Sequence, residues 1–233
     1  MSDTRDNYSF KAVLYKYIPE VIVIFLGISI SFWFDEWRDN RKDRETEREI
    51  LLNLKANLAQ DTMLLGGTAE MGEGLVRSIH KLIVFKQDTE IADSVSLFID
   101  MAGSYLGCPT NQTTYEEIKQ NGHTSLIQDD TLKKAILGHY TSLVPYVKEW
   151  CDVDKMHTMN QLIPEMSNYF PVVFDSTNMV ANAQKAKFLK LPKLRHLLLT
   201  NVAYKKEATK SLNMVTANSK RLIARIDKVL KSK

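Results

Sequence analysis

The chain has 233 residues, 44% apolar and 25% charged, which is enough apolar material for a buried core and too much for a disordered chain. Its 9 glycines and 6 prolines are roughly half the usual frequencies of about 7% and 5%. That excludes collagen-like and Gly-rich architectures and argues against a many-turned all-β fold. The formal charge of +3 hides an uneven distribution. Residues 185–233 hold 14 Lys/Arg and 2 Asp/Glu, whereas residues 1–184 hold 17 and 26, so a body of net −9 precedes a terminus of net +12.

In chain order, a short tail over 1–17 leads into an apolar run. Val21 to Phe34 carries no charge, and Ile18 to Phe34 gives 17 positions, the lower edge of a bilayer span. Tyr15 and Tyr17 flank one end, with Trp33 and Trp37 at the other, as amphipathic aromatics do at the headgroup level. A cleaved signal peptide is the rival reading, because Ser29-Ile-Ser31 loosely resembles a cleavage site. Against it, apolar residues continue through Phe34, and the preceding segment is long and carries acids. The reading taken is an uncleaved transmembrane helix over 18–34. Pro19 would open it and Glu20 would complement the helix dipole in its first turn. The flanking bases leave orientation open. Five Lys/Arg follow the span within fifteen residues and three precede it, but the five are interleaved with acids.

No Gly or Pro occurs between Ile28 and Leu65. The span is therefore expected to continue as a rod to Leu64, roughly 65–70 Å over residues 20–64, and to stop at Gly66-Gly67. Shorter helices are predicted over Thr68–Lys86 and Thr89–Tyr105, the second capped by Asp88, with a break at Gly107-Cys108-Pro109. Thr113 with Glu116 and Thr114 with Glu117 form two overlapping capping boxes, and Asn121-Gly122 ends that short helix. Asp129 to Thr131 opens another helix running to about Leu162, kinked or broken at Pro145, and Pro164 and Pro171 bound an irregular stretch. Pro192 opens the last helix. There Leu212, Val215, Ser219, Leu222, Ile226 and Val229 alternate at spacings of 3 and 4, a coiled-coil-like seam. Leu194, Leu198, Asn201, Lys205 and Ala208 continue its register more weakly. The fold expected is all-α: one transmembrane helix, then a helical bundle domain over 35–233 with long first and last helices.

No phosphate-binding loop, H-E-x-x-H, G-x-S-x-G or EF-hand pattern is present. Cys151, Asp154 and His157 share a helix face at metal-ligand spacing, but no second ligand pair accompanies them. They are read as an exposed polar helix face, and neither a metal nor a cofactor is expected. Cys108 and Cys151 can be one disulfide or two free thiols. The basic last helix has only Phe188 and Tyr204 nearby as stacking aromatics, so no nucleic-acid partner is expected. It is expected instead to lie antiparallel to the exposed rod at Asp35–Leu64, with Arg221, Arg225 and Lys228 approaching the acids beside the membrane. Gly27, Ser29 and Ser31 are small residues that permit close helix–helix approach within the span.

Glu20-Val-Ile-Val-Ile-Phe-Leu-Gly27, continuing to Trp37, together with Thr114-Tyr-Glu-Glu-Ile-Lys-Gln-Asn-Gly122, Ser125 to Leu132 and the helix after Pro192, resembles a family of uncharacterised bacterial single-span membrane proteins, a domain of unknown function. Glu20, Gly27 and Trp37 fall in the family's register. Trp33 and Asp35-Glu36 stand where the family carries amides. The resemblance implies a protein of the inner (cytoplasmic) membrane with its N-terminus in the cytoplasm and a helical domain outside, and it implies no reaction.

The function expected is a membrane-anchored helical interaction, sensory or scaffold protein. Its partners would be the lipid bilayer and either a second copy or another membrane protein. Candidate interaction residues are Glu20, Gly27, Trp37, Tyr115, Glu116, Lys119, Asn121 and Gly122. The alternatives are an enzyme with a site around His139, Cys151, Asp154 and His157, or a membrane-active effector.

Overall fold

The computed structural model describes residues 10–86, 94–170 and 182–232, with side chains from Ile18 onward in the first segment and from Gln184 in the last. The regular elements among the described residues are all helices, with no strand. The elements are α1 (Phe10–Ile83), α2 (Val95–Ala102), α3 (Thr113–Gln120), a 3-10 turn (His123–Leu126), α4 (Asp130–Gly138), α5 (Val144–His157), α6 (Ile163–Ser167), α7 (Asn182–Phe188) and α8 (Pro192–Lys231). The chain divides into two compact units, Met1–Glu49 and Ile50–Lys233.

In the first unit every apolar side chain from Val21 to Phe34 is at least half exposed. The helix beyond carries its own charge pairs along the surface, Arg38 with Asp35 at 3.3 Å and Arg41 with Glu45 at 3.2 Å. This is the arrangement of a solvated helix face.

Two expectations about α1 need correction. It begins at Phe10, with Pro19 inside it, because nothing between Phe10 and Ile18 breaks a helix. It also passes through Gly66-Gly67 and ends at Ile83. Two mid-helix glycines cost roughly 1 kcal/mol each relative to alanine. The buried stripe Leu58, Leu65, Ala69, Leu75, Ile79, Leu82 continues past them and outweighs that cost.

In the second unit α8 runs antiparallel to α1. Lys55 Nζ meets Asp227 at 2.6 Å, Gly66 lies against Thr216, Gly72 faces Thr209, and Arg195 Nη1 donates to the Ile83 carbonyl at 2.9 Å. A β-carbon on Gly72 would collide with Thr209 Oγ1 and lie 3.0 Å from Leu106 Cδ1, so only glycine permits this approach. The seam of α8 is buried at every position from Leu194 through Leu198, Asn201, Lys205, Ala208, Leu212, Val215, Ser219 and Leu222 to Ile226.

The core has three layers. One joins Ile79, Leu82 and Phe85 to α2, α6, α7 and the start of α8. The middle joins Leu65, Ala69 and Leu75 to Leu106, Val147, Cys151, Ala208, Leu212 and Val215. The third joins Ile50 to Leu58 with α3, α4 and the end of α8.

Of the kink or break expected at Pro145 the break does not occur, and Pro164 lies inside α6 rather than at the edge of an irregular stretch. Each follows a π-helical segment, His139–Leu143 and Thr158–Leu162 respectively. One wide turn before each proline accommodates the ring and its missing N–H without ending the helix. Asp129 caps α4 by accepting from Leu132 N at 2.8 Å, as expected. The capping boxes at Thr113 and Thr114 do not form. Asn111 Oδ1 takes the Thr113 N–H at 3.1 Å, and Thr114 Oγ1 accepts from Asn57 of α1 at 2.7 Å. The Asp88 cap and Pro171 lie outside the described residues.

Candidate functional site

The connection from Gly103 to Gln112 has no regular structure of its own, yet buried side chains from three helices hold its backbone. On α8, Lys205 occupies a seam position that an apolar residue would normally fill. On α5, Asp154 lies one turn beyond Cys151 on the buried face. The two meet at 2.8 Å, and neither side chain is exposed at all. Lys205 Nζ also donates to the Ser104 carbonyl at 2.6 Å, and Asp154 Oδ2 accepts the Leu106 N–H at 2.9 Å. Burial draws the Lys205 ammonium below its ordinary value, and the Asp154 carboxylate opposes that shift. A buried charge is tolerated when it is both paired and hydrogen-bonded, and this pair meets that condition by clamping a strap of chain.

The strap has two further ties. Cys151 Sγ donates to the Gly107 carbonyl at 3.7 Å. Asp61 of α1 accepts the Asn111 N–H at 2.7 Å, and Gln60 accepts from Asn111 Nδ2 at 3.1 Å. Asp61 is fully buried and its Oδ2 has no partner among the described residues. Burial pushes its carboxyl above the usual range, against the Asn111 hydrogen bond and the Lys148 charge.

Both π segments turn polar groups inward. Thr158 accepts from Asn201 Nδ2 at 2.9 Å in a fully buried contact. His139 pairs through Nδ1 with Asn218 Oδ1 at 3.1 Å, and its pKa is lowered chiefly by burial. Tyr140 stacks on Tyr115 with ring centroids 4.5 Å apart, and burial raises its phenol.

These contacts place the residues singled out by sequence. Asp154 is committed to Lys205. His157 uses Nε2 toward the Leu197 carbonyl at 3.0 Å and Nδ1 toward Gln161 at 3.2 Å. A carbonyl only accepts, so Nε2 carries the proton. Cys151, Asp154 and His157 are therefore buried and turned to different partners, not the exposed face expected of them, and no metal-holding group of three occurs among the described residues.

Tyr115 is a core residue, 2% exposed. Glu116 and Lys119 face solvent and pair loosely at 3.9 Å. Asn121 N donates to the Glu117 carbonyl, and Gly122 closes α3 in the left-handed region at φ 69°, where glycine is favoured. In the first unit, Gly27 has open space where a side chain would be, and its carbonyl accepts from Ser31 Oγ at 2.9 Å. Trp37 is half exposed beside Phe34, and Glu20 is exposed.

Sequence reasoning gave Lys205 no role beyond a weak seam position. A lysine at a seam position demands a buried counter-charge, and that demand was the available signal. A shallow groove of about 450 Å³ between α1 and α8 has Glu73, Val76 and Arg77 on one wall and Lys206, Lys210 and Asn213 on the other. Comparison with known proteins finds no matching family model, no matching curated protein and no matching solved structure.

Proposed function

We propose that the protein is a single-span, membrane-anchored helical interaction, sensory or scaffold module of the inner membrane. In this reading its N-terminus is cytoplasmic and its helical unit lies on the far side. The observation that carries the reading is the run from Val21 to Phe34, in which every apolar side chain is at least half exposed. Among the described residues one helix is long and apolar enough to cross a membrane, and this run is its apolar part. So much contiguous apolar surface is unfavourable in water and favourable in hydrocarbon. The interior polar groups support a scaffold over a catalyst. Asp154, Lys205 and His157 hold backbone carbonyls and amides of the unit itself.

Fusions of alkaline phosphatase and, separately, green fluorescent protein after Lys233 in a bacterial host test the reading. An active phosphatase and a dark fluorescent fusion are expected. The reverse pattern overturns the proposed arrangement.

A further inference from the structure

Cys108 sits on the strap, between the backbone held by Lys205 and Asp154 and the backbone held by Asp61. Cys151 sits on α5 beneath it. The two cysteines belong to the same middle core layer, Cys151 buried and Cys108 partly exposed. Cys151 Sγ already reaches the carbonyl of Gly107, the residue before Cys108. From these contacts we infer that Cys108 and Cys151 are a redox-active dithiol pair that closes to an intramolecular disulfide and locks the strap onto α5.

The two thiols differ in the way such a pair requires. Cys108 is the accessible one. The Cys151 thiol beside it favours its thiolate, as does the Lys148 charge, while burial, Asp61 and Asp152 oppose. Cys151 is held protonated by its hydrogen bond to Cys108 and by burial. The more accessible thiol, with its pKa lowered, attacks first and the buried one resolves. The oxidant is a small-molecule or protein disulfide. The Cys108 thiolate attacks one of its sulfurs and expels a thiolate. Cys151 then loses its proton and attacks Cys108 in the mixed disulfide, expelling the second thiolate. Two protein thiols are oxidised and one external disulfide is reduced to two thiols. The inference concerns the unit Ile50–Lys233 and does not depend on the membrane reading.

The test uses the full chain in detergent, equilibrated with reduced and oxidised glutathione at varied ratios, then quenched in acid, denatured, alkylated and weighed. Oxidation should remove both alkylatable thiols and lower the mass by about 2 Da without added glutathione, and dithiothreitol should reverse it. Cys151→Ser should stop at the glutathione mixed disulfide on Cys108. The thermal midpoint of the wild type should rise on oxidation by about 5–10 °C, and that of Cys151→Ser should not. Thiols that stay alkylatable, a wild-type mixed disulfide that persists, or an oxidised protein with an unchanged midpoint would each overturn the inference.

Discussion

Lys205 Nζ and Asp154 Oδ1 lie 2.8 Å apart with both side chains at 0% exposure, and through Ser104 and Leu106 they fix the course of a strap that has no secondary structure. Removing one partner leaves the other charge buried and unpaired. Lys205→Met alone is expected to destabilise the unit by about 3–5 kcal/mol. The double variant Lys205→Met/Asp154→Leu should recover a large part of that loss, because an apolar pair of similar volume carries no desolvation cost. It should stay below the wild type, since the Ser104 carbonyl and the Leu106 N–H lose their partners. Denaturant unfolding of the three proteins measures the difference.

Asp61 gives the clearest pH dependence. Its unfolded carboxyl titrates near 3.8 and its folded one higher. Between those values the folded state holds more protons, so stability falls as pH rises through that window and stays lowered at pH 7. Asp61→Asn keeps an oxygen for the Asn111 N–H and removes the buried charge. It should stabilise the protein at pH 7 by about 1 kcal/mol, and the gain should vanish below pH 3.8. Melting curves across that range decide it, and a gain that persists in acid would contradict the assignment.

Glycines of one helix should respond oppositely to alanine. At Gly72 the added methyl meets Thr209 and Leu106, and Gly72→Ala should destabilise by about 1–3 kcal/mol. At Gly67 nothing lies within 4 Å, and Gly67→Ala should stabilise by about 0.5–1 kcal/mol through helix propensity. Thermal denaturation of both variants beside the wild type checks the pair.

The all-helical class and the α8 seam were legible because apolar spacing is a local property. The alternation of 3 and 4 from Leu194 to Ile226 names buried positions without knowledge of their partners. The α1 stop was misread for the complementary reason. Gly66-Gly67 is a local stop signal, and packing against α8 overrides it. The pairing of Lys205 with Asp154 spans 51 residues of sequence, and nothing local to either residue marks the other. Asn57 similarly takes the Thr114 hydroxyl from a capping role by reaching across 57 residues. The proximity of Cys108 to Cys151 is legible only once α5 and the strap are in place.

Residues 1–34 should be dispensable for folding of the helical unit, whose three core layers draw no residue from them. Their removal should leave a water-soluble chain with a helical circular-dichroism spectrum. A strand-dominated spectrum would contradict the account.

Alkaline carbonate extraction of cell membranes, with the full chain and the chain lacking residues 1–34 side by side, tests the proposed anchor most directly. The account predicts that the full chain stays in the pellet and the truncated chain leaves with the supernatant. A full chain released into the supernatant would contradict it.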